Sequence, residues 1–332
     1  MIKNQIKNYL LLPYDITMLV IYIIAFKFFK INFKNSVNTL VRLFCITGGF
    51  SNDIVSFFTS KKIKKQKSET KYSNFDFELI NKSLENDGYY IIKNFLSNDQ
   101  CDNLKNFIFK NKLIAKKNGI ILDDQILFDS ENPKGVFYEM SKDKIFNSDI
   151  AQDLVFNKFF NDICQNYFKS LPIFDHMSLA ISAKSKEPDS NAAQLFHFDL
   201  ERPKWLKFFI YLNDVDENNG PHFFVPKTHK NFGIKKVIRN KGYSRIDDEI
   251  IKKFYSEIKT IKGKKGTLLI EDTRGLHKGS VVKENYRCIA LLQFNNSNFG
   301  GEHHNYKFKI NLEKNLNFFL NNLETYSNIE NI

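Results

Sequence analysis

Between residues 174 and 294 the chain is a succession of short apolar runs cut by turn residues. "FDHMSLAISA" (174–183), "AQLFHFDL" (193–200), "LKFFIYLNDV" (206–215), "HFFVP" (222–226), "GTLLIED" (266–272) and "YRCIALLQF" (286–294) are β-compatible in length and rich in β-branched and aromatic residues. Asn219–Gly220 and "KENY" (283–286) supply turns between them. Several such strands at hairpin-like spacing predict a sandwich or a jelly roll.

Helical signals flank this region. "FELINKSLENDG" reads as a helix ended by Gly88, and "YYIIKNF" (89–95) as a strand. Ser97 with Gln100 three residues on forms a capping box, which opens a helix to about Lys112. A further helical stretch is expected near 147–168, a partly helical insertion around 231–261, and a closing helix over 311–324. The expected organisation is a leader and linker over 1–74, a jelly-roll body over 75–310, and a C-terminal helix and tail over 311–332.

The formal net charge of +12 belongs mostly to the leader. The first 72 residues hold twelve Lys or Arg against three acidic residues, which leaves the other 260 close to neutral. A basic body would suggest nucleic acid; a basic leader does not, and no nucleic-acid partner is expected. Within the leader, Ile16–Phe26 is an apolar core of about half the roughly 20 residues that a spanning helix needs. A second run, 40–50, precedes the basic linker "KKIKKQK" (61–67). These segments either pack on the body or a partner subunit, or lie on an anionic membrane surface as a peripheral contact. The cysteines Cys45, Cys101, Cys164 and Cys288 show no metal spacing and suggest reduced thiols in a cytoplasmic protein. Oligomeric state is open at this stage.

"FHFDL" raises a chemical question. On a strand His197 and Asp199 project to one face while Phe196 and Phe198 project to the other. By itself the motif fits a solvent-facing strand edge. Further along, His277 lies in a polar turn flanked by Gly275 and Gly279, and ten residues on Arg287 alternates with Ile289 and Leu291. A buried guanidinium there needs a carboxylate or phosphate partner. Two imidazoles and a carboxylate that leave coordination positions open suit non-haem Fe(II).

H-x-D at 197–199, the distal His277 and the arginine ten residues later resemble the phytanoyl-CoA dioxygenase family of Fe(II)/2-oxoglutarate oxygenases. "LENDGYYIIKNFLSNDQCDNL" (84–104) is similar to that family's opening helix–strand–helix, and "NDVDENNGPHFFVPKTHK" (213–230) to its N-G…VP-x-(S/T)-H-K segment. Lys227–Thr228 and Gly266–Thr267 depart from the family's usual Gly-Ser and Gly-Asp. The resemblance spans about residues 75–300 and implies a mainly β fold with flanking helices, around a double-stranded β-helix (jelly roll, cupin-like) core. It implies Fe(II) held by His197, Asp199 and His277, and Arg287 binding the cosubstrate 2-oxoglutarate. With O2 the expected reaction is hydroxylation of a small-molecule or lipid-like substrate, releasing succinate and CO2. The alternative is a catalytically idle jelly roll that binds a small molecule or carbohydrate. His222 reads as structural, His229 as a loop-fixing or substrate-side residue, His303–His304 as a surface pair, and Arg202, Lys204 and Lys207 as a solvated rim. Pocket walls are expected from loops at 113–145 and 231–261.

Overall fold

The computed structural model describes residues 10–63, 75–242, 244–301 and 304–332. Residues 64–67 of the basic linker, and His303 of the histidine pair, lie outside them.

Three leader helices come first: α1 (Leu12–Phe29), α2 (Asn35–Thr47) and α3 (Phe50–Thr59). The body opens with α4 (Phe77–Asn86), β1 (Tyr89–Ile92) and α5 (Asn98–Lys110). Next come β2 (Leu113–Lys117), β3 (Ile120–Ile126) and β4 (Phe137–Glu139), then α6 (Lys142–Phe146), α7 (Asp149–Val155) and α8 (Lys158–Phe168). The core continues with β5 (Ile173–Ala183), β6 (Trp205–Tyr211), β7 (His222–Phe224), the inserted helices α9 (Lys236–Arg239) and α10 (Asp248–Phe254), β8 (Lys259–Ile261), β9 (Leu268–Glu271), β10 (His277–Gly279) and β11 (Tyr286–Asn295). Strands β12 (Tyr306–Phe308) and β13 (Ile329–Asn331) bracket α11 (Glu313–Leu320).

Local chemistry sets the helix ends. The Ser97–Gln100 capping box opens α5 with both of its reciprocal bonds. Asp76 accepts from the Leu79 amide to open α4, which ends at Gly88 with φ of 89°. A Cβ on Gly88 would lie 2.5 Å from the His229 ring, so this turn excludes any other residue on two grounds.

Eight strands form one antiparallel sheet in the order β1-β9-β6-β11-β5-β4-β2-β3. Opposite it stands a small sheet, β10-β7-β8, extended at the β10 edge by a bridge between His197 and His277. Alternation divides each large-sheet strand between two environments. On β11, Cys288, Ala290, Leu292 and Phe294 join the core beneath the helices, as do Leu206, Phe208 and Ile210 of β6. Their neighbours Arg287, Ile289 and Leu291, with Lys207, Phe209 and Tyr211, line a cavity between the sheets. Beneath the helices Phe159, Phe160, Phe208 and Phe294 are fully buried, and truncating any one to Ala would cost about 3–5 kcal/mol.

Two expectations fail in detail. Residues 193–200 do not form a regular strand; they are held by single bridges, Phe196 to Ile246 and His197 to His277. Residues 113–126 are not a pocket loop but the β2–β3 hairpin, which with β4 extends the large sheet at one edge. The β-branched and apolar content of "LIAKKNGIILDDQI" suffices for a ladder once β4 offers an open edge.

The leader packs on the body. Phe44 of α2 stacks on Phe198 at 5.7 Å, and Arg239 donates to the Cys45 carbonyl at 2.9 Å. Asn32 donates to the Gly300 carbonyl, and Asn52 to that of Pro203. Helix α1 runs longer than its apolar core because Asp15, fully buried, accepts two bonds from the Arg42 guanidinium of α2. A paired carboxylate does not interrupt an apolar helix as an unpaired one would.

Candidate metal centre

His197, Asp199 and His277 converge at one end of the inter-sheet cavity. Their ligand atoms all lie within 4.8 Å of one another. Asp199 Oδ1 is 3.9 Å from His197 Nε2, and Oδ2 is 3.7 Å from His277 Nε2. The local backbone explains the convergence. His197 and His277 exchange both backbone bonds, at 3.0 and 2.9 Å, and the Asp199 amide donates to the Thr273 carbonyl. On the reverse face, Phe196, Phe198 and Leu200 are buried with Val225, Ile234 and Leu276. The packed face and the polar face of "FHFDL" therefore separate as strand alternation requires, although the ladder is only a bridge long.

Both imidazoles are oriented by their second nitrogen. His197 Nδ1 lies 2.9 Å from the Leu195 carbonyl, and His277 Nδ1 lies 3.0 Å from that of Gly275. A carbonyl only accepts, so each Nδ1 carries the proton and each Nε2 keeps its lone pair for the cluster. Burial depresses both imidazoles, so they are neutral near pH 7. Burial alone would raise the Asp199 carboxyl, but Lys207, His277 and His197 outweigh it and hold it well below its ordinary range. Two neutral imidazoles and one carboxylate form an N/N/O donor set that fits ferrous iron.

Residues 84–283, more than half of the chain, match the phytanoyl-CoA dioxygenase (PhyH) family model. The chain belongs to the phytanoyl-CoA dioxygenase family. It is accordingly a non-haem iron oxygenase that uses 2-oxoglutarate and O2, built on a jelly roll. No curated protein matches this family member. Among solved structures, HygX from Streptomyces hygroscopicus, with nickel and 2-oxoglutarate bound, aligns at a TM-score of 0.50 and 10% identity, covering 68% of this chain and 89% of that one. The epimerase SnoN in complex with Fe3+, alpha ketoglutarate and nogalamycin RO aligns at 0.47 and 12%, covering 66% and 83%. EctD from S. alaskensis, with 2-oxoglutarate and 5-hydroxyectoine, aligns at 0.47 and 16%, covering 71% and 82%. The HygX likeness is one of fold.

In this phytanoyl-CoA dioxygenase family member the cavity extends from the histidines to Arg287 and encloses about 190 Å3. Arg287 Nη1 donates to the Gly220 carbonyl and Nη2 to Ser182 Oγ at 3.3 Å. Its Nε has no partner, and among the described residues no carboxylate pairs with it. Gly279 makes the room, since a Cβ there would lie 2.6 Å from Nη2. Gln194 turns away and accepts from the Asp189 amide.

The expected solvated rim is instead drawn inward: Arg202 is buried, and Lys204 and Lys207 are half-buried. Arg202 pairs with Asp175 at 2.9 Å, and Lys204 stands 4.0 Å over the Tyr167 ring. Lys207 Nζ bonds Asp199 Oδ2 at 2.7 Å. Burial would lower that ammonium, but Asp199 outweighs burial and raises it. His222, expected to be structural, lines the cavity and stacks on His277 at 5.8 Å, with Nε2 2.7 Å from Glu271 Oε2. Burial pushes the Glu271 carboxyl up to about 8, so it is protonated near neutrality. The signal for Lys207 and Glu271 was present: each occupies an inward phase, Lys207 with Phe209 and Tyr211, and Glu271 with Leu269. His229 does fix a loop, reaching the Glu85 carbonyl at 3.3 Å.

On the other side of Lys207 a second, open cavity of about 380 Å3 reaches solvent, walled by His176, Glu201, Trp205 and Gln293 together with Asp199. Burial raises the Glu201 carboxyl, and nearby Asp199 adds to the effect.

Proposed function

We propose that the chain is a hydroxylase in which His197, Asp199 and His277 hold Fe(II) and Arg287 anchors the distal carboxylate of 2-oxoglutarate. The observation that carries this reading is Arg287, a buried guanidinium with no acidic partner among the described residues, in the cavity that His197 and His277 also line. A buried unpaired charge costs several kcal/mol, and a carboxylate presented to its planar fork offsets that cost.

The side chains prepare the site before any ligand arrives. Leu195 and Gly275 carbonyls fix the two imidazoles, and Lys207 steers Asp199 through one carboxylate oxygen while the other remains open. Phe209, Ile289 and Leu291 exclude water between the two ends of the cavity. Bound ferrous iron supplies oxidation by O2, coupled to decarboxylation of the keto acid to succinate and CO2. The substrate is a small molecule with polar groups, received in the open cavity beside Asp199, where Glu201, His176 and Gln293 offer hydrogen bonds and Trp205 a flat apolar wall. A carboxylate ligand at 199 fills the position that a halide would need, which favours hydroxylation over halogenation.

Succinate release from 2-oxoglutarate by the iron-loaded protein tests the chemistry, and product mass tests the outcome. Hydroxylation adds one oxygen; an isobaric or dehydrogenated product would replace it with isomerisation or ring closure. Arg287→Ala should raise the KM for 2-oxoglutarate by about 100-fold, the worth of a charge-assisted pair, with iron binding retained. An unchanged KM would assign the anchor to another cation, and iron-loaded protein that never consumed 2-oxoglutarate would return the chain to a binding role.

A further inference from the structure

We propose that α1 and α3 form a docking face that lies flat on an anionic membrane surface. The first observation is where exposed apolar side chains collect. Of the twenty-six large hydrophobic side chains exposed among the described residues, fifteen lie between Leu10 and Ile63. They are ordered rather than scattered. Ile16, Val20, Ile24 and Phe28 follow one another at four-residue spacing along α1, and Ile54 and Phe58 do so along α3, where exposed Phe57 stands edge-on to Phe58. The two ridges flank a groove of about 610 Å3 lined mainly by apolar side chains. An apolar patch of this extent marks a partner or a membrane.

Helix α1 has the length and composition of a membrane-crossing helix, yet most of it is not buried in the protein. A helix apolar on every side normally belongs to a core or to lipid, and this one is not in the core. Its attachment decides between crossing and lying flat. Asp15 is fully buried against Arg42, Leu19 and Tyr22 join Leu40, Leu43 and Phe299, and Phe26 meets Phe299 edge-on at 5.6 Å. Drawing α1 across a bilayer would take Asp15 from its guanidinium into hydrocarbon. The helix therefore keeps its seat on α2 and offers its outer face.

Charge selects the occupant. The exposed charged residues of this region are Lys27, Lys30, Lys34, Lys61, Lys62 and a single acid, Asp53. Asp53 is occupied by Asn231 at 2.6 Å. Lys27 lines the groove itself, with Nζ 5.8 Å over the Phe58 ring. A second copy docking by two-fold symmetry would oppose one set of lysines to the other, which disfavours a dimer through this face. Phosphate headgroups complement the lysines while acyl chains meet the isoleucine and phenylalanine ridges.

Cosedimentation of the full chain with phosphatidylcholine vesicles, with and without phosphatidylglycerol, tests the proposal and needs no turnover, so it stands or falls apart from the iron chemistry. Binding is expected only with the anionic lipid and should weaken as salt shortens the Debye length. Ile24→Glu with Phe57→Glu should abolish binding, and each of Lys27→Glu and Lys30→Glu should weaken it about fivefold. These positions are exposed, and an unchanged melting curve certifies each variant; Phe57→Ser alone serves if the double variant fails to fold. Failure of the wild-type chain to bind, or equal binding by the folded Ile24→Glu/Phe57→Glu variant, would overturn the proposal. So would a dimer in sedimentation that these substitutions dissociate.

Discussion

Lys207 shows how one residue can serve two states of a site. Without a metal, its ammonium is the counter-charge that makes a buried Asp199 tolerable. With a metal bound, the ion takes over part of that service. Lys207→Met should therefore cost the metal-free protein about 3–5 kcal/mol, the usual result of orphaning one member of a buried pair. Nickel(II) should restore most of that loss, because a cation at the triad again faces the carboxylate. Urea denaturation with and without nickel checks both halves; equal destabilisation in the two conditions would show that Lys207 acts only through packing. Sequence reading placed Lys207 with Arg202 and Lys204 in a solvated rim, because a charge cluster beside a strand end usually faces water. Alternation with Phe209 and Tyr211 turns it inward, and its bond to Asp199 at 2.7 Å holds it there.

At the scale of elements, alternation was the most legible property of the chain. It assigned Arg287, Ile289 and Leu291 to one face of β11 and, through "FHFDL", separated ligand-type from packing residues. What it could not reveal was the irregular backbone of residues 193–200, since two isolated bridges and a long strand present the same side-chain pattern. Nor could it show β2–β3 joining the large sheet, which depends on an edge supplied by β4. Strand β10 has a testable role of its own. Gly279 lets the Arg287 guanidinium pass close to the backbone, so Gly279→Ala should displace it. The expected result is a rise of about tenfold or more in the KM for 2-oxoglutarate with unchanged iron affinity, measured by steady-state kinetics and metal titration. A loss of iron instead would mean that the strand, and His277 with it, has moved.

For the whole molecule, buried histidines set the pH response. Burial, before any charge, lowers His222 and His176 to about 3 and His229 to about 4. Below their ordinary value near 6.5 the unfolded chain binds protons that the folded chain refuses, so metal-free stability falls as pH drops from there. Glu271, raised to about 8, works the other way: the folded chain holds its proton up to that pH, and stability declines as pH rises from about 4.5 towards 8. Three histidines outweigh one glutamate in the shared window, which places the maximum close to 6.5. Thermal melting of metal-free protein across pH 4.5 to 8 checks this, and a steady rise in melting temperature up to pH 8 would contradict the Glu271 contribution. None of these signs was legible in the sequence, because each depends on burial by residues distant in the chain.

One carbonyl joins the leader to the wall of the open cavity. Gly300 O accepts Asn32 of the leader at 2.8 Å and Arg202 of the open cavity at 2.8 Å. Asn52 and Ser56 bind Pro203 and Asn296 in the same neighbourhood. The leader is thus not a detachable tether but one jamb of the open cavity's mouth, the proposed doorway for substrate. Whatever holds α1 in place also sets the width of that doorway, and a chain trimmed of its first helices would keep its hinges and lose its frame.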